Sequence, residues 1–309
     1  MTGRGDGIDV TVVIPARNGA ATIGEQLDAL AVQRTSCTWE LVVADNGSTD
    51  GTYAFVAAHP ITEVIPTRIV DASREAGTNV ARNAGIAAAR GSLVVLCDSD
   101  DVVAAGWLQG YWTALGGGPP TVAAGPLDIS WLNAPRLQAW GQPLVAPEQV
   151  SGAERGMGAN MAFHRSVWEA LGGFDESYKY GFDEIEFFVR AAGQGVPFVW
   201  VGDSIVAYRL ATSARVLLRK VFRHGRAAVH FSRQHQPPTE SPTLAGALDT
   251  TVKIAARLAL SLLTRRPQAK QQARGLVYST GMTVELVATR FRASRWSAPR
   301  RTPPAADGR

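Results

Sequence analysis

The sequence has little cysteine and no long hydrophobic run. Cys37 and Cys97 are its only cysteines in 309 residues, too few for the disulfide framework of a small secreted domain, so we expect free thiols and a reducing compartment. No stretch of 18 uncharged apolar residues occurs, and the N-terminus has no apolar signal region. We therefore expect neither a signal peptide nor an ordinary transmembrane helix, and a cytoplasmic chain.

Two nucleotide-binding motifs are also missing. No G-x-G-x-x-G follows the first predicted strand, which removes the dinucleotide-binding fingerprint. No G-x-x-x-x-G-K-[ST] occurs anywhere, which removes the P-loop. A nucleotide site in this chain therefore needs another set of residues.

The first hundred residues alternate between strand and helix patterns. With 46% hydrophobic residues, the chain can bury a large core. Short apolar runs at 10–15, 39–44, 68–70 and 93–97 predict buried strands, and apolar residues at helical spacing over 21–33 and 78–90 predict helices between them. This alternation is typical of an α/β fold with a mostly parallel, doubly wound sheet and right-handed crossovers.

The segment LVVLCDSDD, residues 93–101, is a buried strand pattern followed by acids. Asp98, Asp100 and Asp101 would stand at the carboxyl end of the strand, where ligands bind in parallel sheets. Carboxylates this close repel one another unless they share a cation, and divalent metals favour such oxygens. The cluster predicts an Mg²⁺ or Mn²⁺ site. The alternative is that these residues cap the helix that follows.

Polar residues also follow the first two predicted strands. Arg17 and Asn18 come after Pro15, and a loop dense in Asp, Asn, Gly and Ser begins at Asp45. Together with the acids after residue 97, they would meet at one sheet edge and could form a nucleotide pocket. The alternative for the second loop is a turn that satisfies its own backbone.

A second acidic group opens a later predicted helix. Asp183, Glu184 and Glu186 stand before or within its first turn, ahead of an apolar face. Acids there suit the helix dipole, which is the structural explanation. If one of them points into the pocket, it could act as a general base. Between these segments, residues 116–154 are rich in Gly and Pro and predict either a mobile lid or a surface excursion.

The net charge of +4 hides a division of the chain. Residues 1–208 carry 12 Lys/Arg against 23 Asp/Glu, a net charge of −11, whereas residues 209–309 carry 19 against 4, a net charge of +15. We expect a flexible N-terminus at 1–9, a catalytic domain at 10–210, a basic helical region at 211–293 and a disordered tail at 294–309. The basic region indicates an anionic partner.

The predicted helix at 244–263 is apolar apart from a narrow polar stripe. Asp249, Lys253, Arg257 and Ser261 recur every fourth residue. Three charges disfavour a membrane crossing, so the helix either lies in the plane of an anionic membrane surface or docks on the catalytic domain or a second subunit. Nucleic acid is not favoured, because aromatic residues do not alternate with the basic ones and no reader motif occurs.

Seven motifs occur in the order seen in one family. They are VVIPARNGAATI, VVADNGSTDGT, ARNAGIAAARG, LCDSDD, GANMAFHR, GGFDE and DEIEFFVR, and they span about residues 10–209. In this order they resemble family 2 glycosyltransferases. The resemblance implies a GT-A fold, a Rossmann-like and mostly parallel sheet flanked by helices, with the helical region as a C-terminal extension.

The resemblance also implies roles for individual residues. Pro15, Arg17 and Asn18 would contact the nucleotide, Asp45 would hydrogen-bond its base, usually uracil, and Arg82 and Asn83 would lie beside it. Asp98 and Asp100 would be the Asp-x-Asp pair, with Asp100 the direct metal ligand and Asp98 nearer the ribose. Glu184 would be the catalytic base, with Asp183 as its competitor because the acid pair is inverted relative to the family. Asn160 and Arg209 would line the acceptor or sugar pocket.

Two departures from the family pattern limit the comparison. The family often has a His after the last strand, where this chain has Tyr208-Arg209, so a His metal ligand is in doubt and Arg209 is a candidate diphosphate contact. The sequence has no Q-x-x-R-W, which argues against a processive polysaccharide synthase.

The sequence thus predicts an inverting, metal-dependent glycosyltransferase. It would move a sugar from a nucleotide diphosphate donor, UDP by resemblance, to a hydroxyl of a glycan or lipid-linked acceptor, at the cytoplasmic face of the cell membrane. The alternatives are a sugar-nucleotide nucleotidyltransferase, whose Gly-rich first loop is missing here, and a catalytically silent nucleotide-binding module. The sequence leaves open whether the chain forms a homo-oligomer.

Overall fold

The computed structural model describes residues 7–138, 141, 143–179, 181–236, 239–263 and 269–296. The chain divides into two compact units, Met1–Leu217 and Leu218–Arg309. The predicted domain boundary at residue 210 stays a prediction. Of the predicted disordered tail, residues 294–296 belong to a long helix, and residues 297–309 lie outside the described residues, as do 1–6 of the predicted flexible N-terminus.

Unit 1 is an α/β structure. Its strands are β1 (Val10–Ala16), β2 (Trp39–Asp45), β3 (Thr67–Asp71), β4 (Leu93–Cys97), β5 (Val102–Val103), β6 (Val122–Ala124), β7 (Leu127–Asp128), β8 (Glu148–Val150), β9 (Ala153–Arg155), β10 (Asn160–His164), β11 (Phe198–Trp200) and β12 (Val206–Ala207). Its helices are α1 (Ile23–Ala31), α2 (Thr52–Ala57), α3 (Ile61–Val64), α4 (Thr78–Ala87), α5 (Trp107–Leu115), α6 (Pro135–Gln138), α7 (Arg165–Leu171) and α8 (Asp183–Gly193).

A seven-stranded, mostly parallel sheet lies at the centre, in the order β11-β6-β10-β4-β1-β2-β3. Side chains alternate between its two faces, as a strand requires: Val12 and Ile14 pack in one apolar layer, and Val13 packs in the other. Helices α1 and α5 cover the first face, and α4, α7 and α8 cover the second. Burial on both faces explains why the central strands are continuous apolar runs.

The first four strands end at a common edge. Ala16 at the end of β1 pairs with Asp45 at the end of β2, which pairs with Asp71 at the end of β3. Strand β4 runs parallel to β1, so residues 98–101 leave the sheet at this edge too. The loops that carry the predicted nucleotide and metal residues therefore start side by side.

The segment 116–154 is more ordered than its composition suggests. It supplies β6 to the central sheet, where β6 pairs with the antiparallel β10 and with β11, and it also contains β7, α6 and the β8–β9 hairpin. Strand β6 has no recognisable sequence pattern, because its three residues, Val122–Ala124, are too few to show a periodicity.

A small second sheet follows residues 98–101, the metal loop, where the sequence predicts a cation site. Its order is β5-β12-β7, with β12 antiparallel to β5 and parallel to β7. Strand β5 begins immediately after Asp101, and β12 ends immediately before Tyr208. This sheet therefore joins the loop after β4 to the segment that begins at Tyr208.

Unit 2 is helical. After its start in unit 1, α9 (Ala214–His235) continues into it, followed by α10 (Leu244–Leu263) and α11 (Ala269–Trp296). Val229, Ala247 and Leu286 form its core, and the Thr251 and Ser279 hydroxyls are 2.6 Å apart between α10 and α11. Among the residues described, no helix combines the length and hydropathy that a membrane crossing requires.

Two glycines set how closely α9 approaches α11. A Cβ on Gly225 would clash with the carbonyl oxygen of Tyr278, and one on Gly281 would clash with that of Phe222. The contacting atoms belong to helix backbones, which cannot turn aside as a flexible side chain could. The crossing of these helices within unit 2 therefore requires glycine at both positions.

Gly85 has the same function between α4 and the central sheet. A Cβ there would lie 2.5 Å from Val13 Cγ1 and 3.3 Å from Ala44 Cβ, both in buried central strands. Gly85→Ala should therefore lower the free energy of unfolding, by about 1–3 kcal/mol for overpacking, although alanine favours helix by about 1 kcal/mol. Urea unfolding followed by tryptophan fluorescence measures this change.

The matched control is Gly193→Ala in α8. A Cβ at Gly193 would meet no atom within 4 Å, so this substitution should be neutral or stabilising by up to about 1 kcal/mol. Equal unfolding free energies for the two variants would contradict the tight packing of α4 on β1 and β2.

Candidate functional site

One buried arginine joins the two acidic groups. Arg82 lies in α4 with 3% of its surface exposed. Its Nη1 donates a hydrogen bond to Asp183 Oδ2, and its Nη2 lies 3.9 Å from Asp98 Oδ1. Asp98 follows β4 and Asp183 opens α8, so a single guanidinium spans two loops that are 85 residues apart in the sequence. The acids of the predicted metal loop and those of the predicted base therefore share one centre.

The guanidinium is also held from its other sides. Its carbon lies 5.5 Å from the centre of the Phe174 ring, in a cation–π contact. A Cβ on Gly158 would clash with Nη2, so glycine allows the backbone to approach the guanidinium closely. Arg82 is therefore fixed by packing as well as by charge.

Burial and neighbouring charges both shift the pKa values of Arg82 and Glu184. Burial alone would lower the pKa of Arg82, but Asp183, Asp98 and Glu184 raise it above its ordinary value, so the guanidinium stays charged. Burial and the neighbouring Asp183 raise the pKa of Glu184 to about 8, against the opposing effect of Arg82. With a pKa of about 8, the Glu184 carboxyl group can gain or lose its proton near neutral pH.

The start of α8 presents both acids to this centre. Phe182 precedes the helix with φ 63°, in the left-handed region that bulky residues rarely adopt. Asp183 and Glu184 are both 8% exposed, whereas Glu186 is bonded to Arg190 one turn later. Strained backbone of this kind occurs where a site requires it, which fits a role for the first two acids.

The metal loop offers a set of carboxylates. One oxygen each from Asp98, Asp100 and Asp101 lie within 4.8 Å of one another. Asp101 is buried and accepts a hydrogen bond from Arg209 N at 2.7 Å. Asp98 is half-buried and Asp100 is exposed, so a cation can reach both from solvent. The residues fit a hard divalent cation, which prefers carboxylate oxygens.

Arg209 braces this loop. Its Nε donates to the Asp100 carbonyl at 2.7 Å, and its Nη2 donates to Glu25 in α1 at 2.7 Å. With its backbone N–H on Asp101, the residue joins the end of β12, the metal loop and α1. Arg209 was predicted as a pocket or diphosphate residue, and the structure places it against the protein side of the metal loop.

The nucleotide side is formed by the loops after β1 and β2. Asp45 accepts a bond from Ser48 N with one oxygen, and its other oxygen has no donor among the described residues. Arg17 is exposed and, within the described ranges, makes no ion pair or hydrogen bond. Pro15 is half-buried at the end of β1. These three residues have capacity left for a ligand.

The Asn18 side chain largely connects the two loops. Its φ of 53° lies in the left-handed region, its Oδ1 accepts from Thr49 N at 2.8 Å, and its backbone N–H donates to Ser48 Oγ. Ala20 and Gly19 donate to Asp50 and Thr52 of the same loop. These two loops therefore satisfy many of their polar groups with each other, and Asn18 Nδ2 keeps a free donor within the described part of the chain.

Two predicted site residues have their side-chain amides bonded within the protein. Asn160 is fully buried: its Oδ1 accepts from Trp107 and Tyr111, and its Nδ2 donates to the carbonyls of Pro126 and Ser204. Every hydrogen-bonding position of this amide is used, so it does not fit the predicted acceptor pocket. Its function is to join β10 to α5 and the second sheet.

Asn83 likewise does not fit the predicted nucleotide contact. Its Oδ1 accepts from Trp168 Nε1 and Phe174 N, and its Nδ2 donates to the Phe174 carbonyl and Glu176. It fixes the GGFDE loop beside α4. The loop in turn supplies the Phe174 ring to Arg82.

Sequence reasoning missed one supporting residue, Gln26. It is buried in α1, where its Nε2 donates to the Asp98 carbonyl at 3.2 Å and its Oε1 accepts from Val103 N at 3.0 Å. It thus holds both ends of the metal loop. The available signal was a polar residue on the apolar face that carries Ile23, Leu27 and Leu30.

Comparison with known proteins supports a glycosyltransferase class. Residues 11–134 match the family model described as glycosyl transferase family 2. The chain is 36% identical over 138 residues to the succinoglycan biosynthesis protein ExoO of Rhizobium meliloti, covering 45% of this chain and only 38% of ExoO. It is 26% identical over 225 residues to glycosyltransferase AglE of Haloferax volcanii, covering 71% and 73%.

The fold agrees with that class. A mannosyltransferase from Pyrobaculum calidifontis, PcManGT, solved with GDP-Man and Mn²⁺, superposes with a TM-score of 0.59 over 89% of this chain and 86% of its own, at 22% identity. The chain has the GT-A fold with a C-terminal helical region. The match of residues 11–134 to the family 2 model confirms, over those residues, the resemblance read from the motifs.

The pKa of Glu184 predicts how stability changes with pH. The unfolded chain loses this proton near pH 4.5 and the folded chain near 8, so folding is favoured below 4.5 and loses this contribution as pH rises to about 8. Glu184→Gln should therefore remove part of the fall in thermal midpoint between pH 5 and 9, measured without nucleotide or metal. Glu154→Gln, at an exposed carboxylate, is the control, and identical pH profiles for all three proteins would contradict the burial of Glu184.

Proposed function

We propose that unit 1 transfers a sugar from a nucleoside diphosphate donor to a hydroxyl group of a glycan or lipid-linked acceptor. The reaction is a single displacement that inverts the anomeric centre and uses a divalent cation. One relative is a succinoglycan biosynthesis protein, and one structural neighbour was solved in complex with GDP-Man and Mn²⁺. Both support this class of reaction without fixing the sugar or the acceptor of this chain.

The observation that supports this proposal most directly is the Arg82 centre. A sugar transferase must bring the carboxylates at the leaving diphosphate close to the base at the acceptor hydroxyl. Asp98 and Asp183 contact the same buried guanidinium, and Glu184 is the neighbour of Asp183. A guanidinium is much shorter than a sugar nucleotide. A donor bound at Asp98 and an acceptor bound at Glu184 would therefore lie in the same cleft.

The donor would lie across the ends of β1, β2 and β4. Asp45 has an unbonded oxygen for the N–H of a base, which is why we favour uracil, and Arg17 provides an uncompensated positive charge for the donor. Asp98 and Asp100 would hold the cation. When bound, the cation neutralises negative charge on the departing diphosphate. The chain itself adds Arg82, whose charge lies next to Asp98.

We assign the base to Glu184 and not to Asp183. Asp183 already accepts a hydrogen bond from Arg82 Nη1, so one of its carboxylate oxygens is engaged within the protein. Burial raises the pKa of Glu184 to about 8, near working pH, where a general base is most effective. Glu184 therefore accepts the proton of the acceptor hydroxyl, while Asp183 and Arg82 position it.

We propose in addition that the helical region binds an anionic membrane surface. On α9, Arg219, Arg223, Arg226 and Arg233 recur at helical spacing and are all exposed. On α10, an apolar stripe is exposed at Leu248, Val252, Ala255, Ala259 and Leu262. Basic and apolar faces together are typical of interfacial helices, and a lipid-linked acceptor would be found at such a surface.

Release of nucleoside diphosphate tests the proposed reaction. UDP-glucose, UDP-N-acetylglucosamine, UDP-galactose and GDP-mannose are incubated with the full chain and Mn²⁺, and the anomeric configuration of any product is read by proton NMR. Asp100→Asn should lose most turnover together with metal dependence. Glu184→Gln should lose about 10²–10⁴-fold in turnover while donor binding stays close to normal.

Asp203→Asn is the control for these variants, because Asp203 is an exposed acid on the turn before β12. It should keep full turnover. Wild-type rates for Glu184→Gln would overturn the base assignment. Tight nucleotide binding without any turnover would leave a silent nucleotide-binding module, and a retained anomeric configuration would exclude the single displacement.

Membrane binding is tested by co-sedimentation with vesicles of anionic lipid. Replacing Arg219 and Arg233 by Gln should weaken binding about 30-fold, at ~1 kcal/mol for each basic residue near the surface. Arg34 and Arg136 are likewise exposed and lie in unit 1, so their replacement by Gln removes the same charge elsewhere. Equal binding by the two double variants would end the membrane proposal.

A further inference from the structure

An exposed tryptophan stands on the turn that follows β7. Trp131 has 64% of its surface exposed, whereas Trp39 and Trp107 are buried. The other tryptophans whose side chains the structure describes, Trp112, Trp168 and Trp200, are half-buried. The exposed indole is a large, rigid aromatic surface that a ligand can contact.

The turn is rigidly built. Asp128 Oδ1 accepts hydrogen bonds from Ser130 N at 2.5 Å and from Ser130 Oγ at 2.6 Å. Asn133 is buried, and its Nδ2 donates to the Ile129 carbonyl at 2.9 Å. Gln138 Nε2 donates to the carbonyls of Ser130 and Asn133. Polar side chains on both sides of Trp131 therefore fix the backbone that carries it.

The same turn is attached to the brace of the metal loop. Asn133 Nδ2 donates to the Tyr208 carbonyl at 2.7 Å, and Leu210 N donates to Asn133 Oδ1 at 2.8 Å. The residue between these two, Arg209, contacts Asp101 and the Asp100 carbonyl. Asn133 of the Trp131 turn is thus hydrogen-bonded to the two neighbours of Arg209, and Arg209 is hydrogen-bonded to the loop whose acids would hold the cation.

Strand order places the turn beside the metal loop and away from the predicted nucleotide residues. Strand β7 lies beside β12, which lies beside β5, and the residues after β7 and β12 leave the second sheet at the end where β5 begins. The predicted nucleotide residues follow β1 and β2, in the half of the central sheet away from β6 and β10. Trp131 is therefore on the far side of the metal loop from the nucleotide.

We propose that Trp131 binds a pyranose ring of a carbohydrate acceptor by stacking. One face of a pyranose is lined by C–H groups, which pack against the electron-rich face of an indole. A rigid aromatic gives such a contact at little cost in conformational entropy, which fits the fixed turn. This proposal rests on the proposed glycosyl transfer and deepens it, because it makes the acceptor a glycan with at least one ring beyond the reacting hydroxyl.

The test begins with binding, since it does not require the natural acceptor. The full chain is saturated with UDP and Mn²⁺ and titrated with cellotetraose, maltotetraose, chitotetraose and mannotetraose while tryptophan emission is followed. At least one tetrasaccharide should change the emission, and Trp131→Phe should abolish that change. No change with any of the four, or an unaltered change in Trp131→Phe, would overturn the proposal.

The second measurement separates acceptor binding from the donor reaction. Trp131→Ala should hydrolyse the sugar nucleotide within twofold of the wild-type rate but raise the KM for the bound tetrasaccharide about tenfold or more. Trp131→Phe keeps a ring and should stay within about threefold. Val145→Ala is the matched control, because Val145 is 73% exposed in the same segment of the chain.

The outcomes distinguish the two proposals. If the wild-type protein hydrolyses none of the sugar nucleotides, glycosyl transfer fails, while the emission titration still decides whether Trp131 binds sugar. If donor hydrolysis is normal and Trp131→Ala matches Val145→Ala in KM, the stacking proposal fails alone. Loss of vesicle binding in Trp131→Ala with an unchanged KM would assign the indole to lipid and likewise overturn it.

Discussion

The structure of the site depends on one buried guanidinium among carboxylates. Without Arg82, Asp98 and Asp183 would lose their shared partner, and the loops that carry them would no longer be joined through it. Removing one partner of a buried charge pair typically costs about 3–5 kcal/mol. The guanidinium therefore holds α4, the loop after β4 and the start of α8 in one arrangement. Phe174 and Gly158 fix it further.

The central sheet and the order of the acidic loops were predictable, because they depend on local patterns. Apolar runs such as 10–15 and 93–97 have few solutions besides buried parallel strands, and parallel strands place their carboxyl ends at one edge. The positions of Asp45 and of the acids after β4 (Asp98, Asp100 and Asp101) were predicted in this way. The partnership of Arg82 and Asp183 was not, because it joins residues 101 positions apart whose contact depends on tertiary packing.

The asparagines show most clearly which roles cannot be predicted from the sequence. Asn18, Asn83 and Asn160 all lie in motifs of the family, and an amide that binds a ligand looks the same in a sequence as one that binds the backbone. The structure uses all the donors and acceptors of Asn83 and Asn160 internally. A buried amide costs free energy unless each of its atoms is paired, so these residues specify the loop positions. They act on the site through geometry.

Arg209 likewise acts on the site by positioning a loop. A residue at this position could contribute to the reaction by touching the cation or the diphosphate, but its bonds go to the Asp100 carbonyl, Asp101 and Glu25. Together with Gln26 beneath the loop, it fixes the backbone of the metal acids while leaving the Asp100 carboxylate exposed. A cation site made of few protein ligands needs those ligands in place before the ion arrives, since ordering them on binding would weaken it. Many polar residues around this cleft thus hold the loops in place, and within the described part of the chain Asp45, Arg17, Asn18 and Asp100 keep groups that could meet substrate.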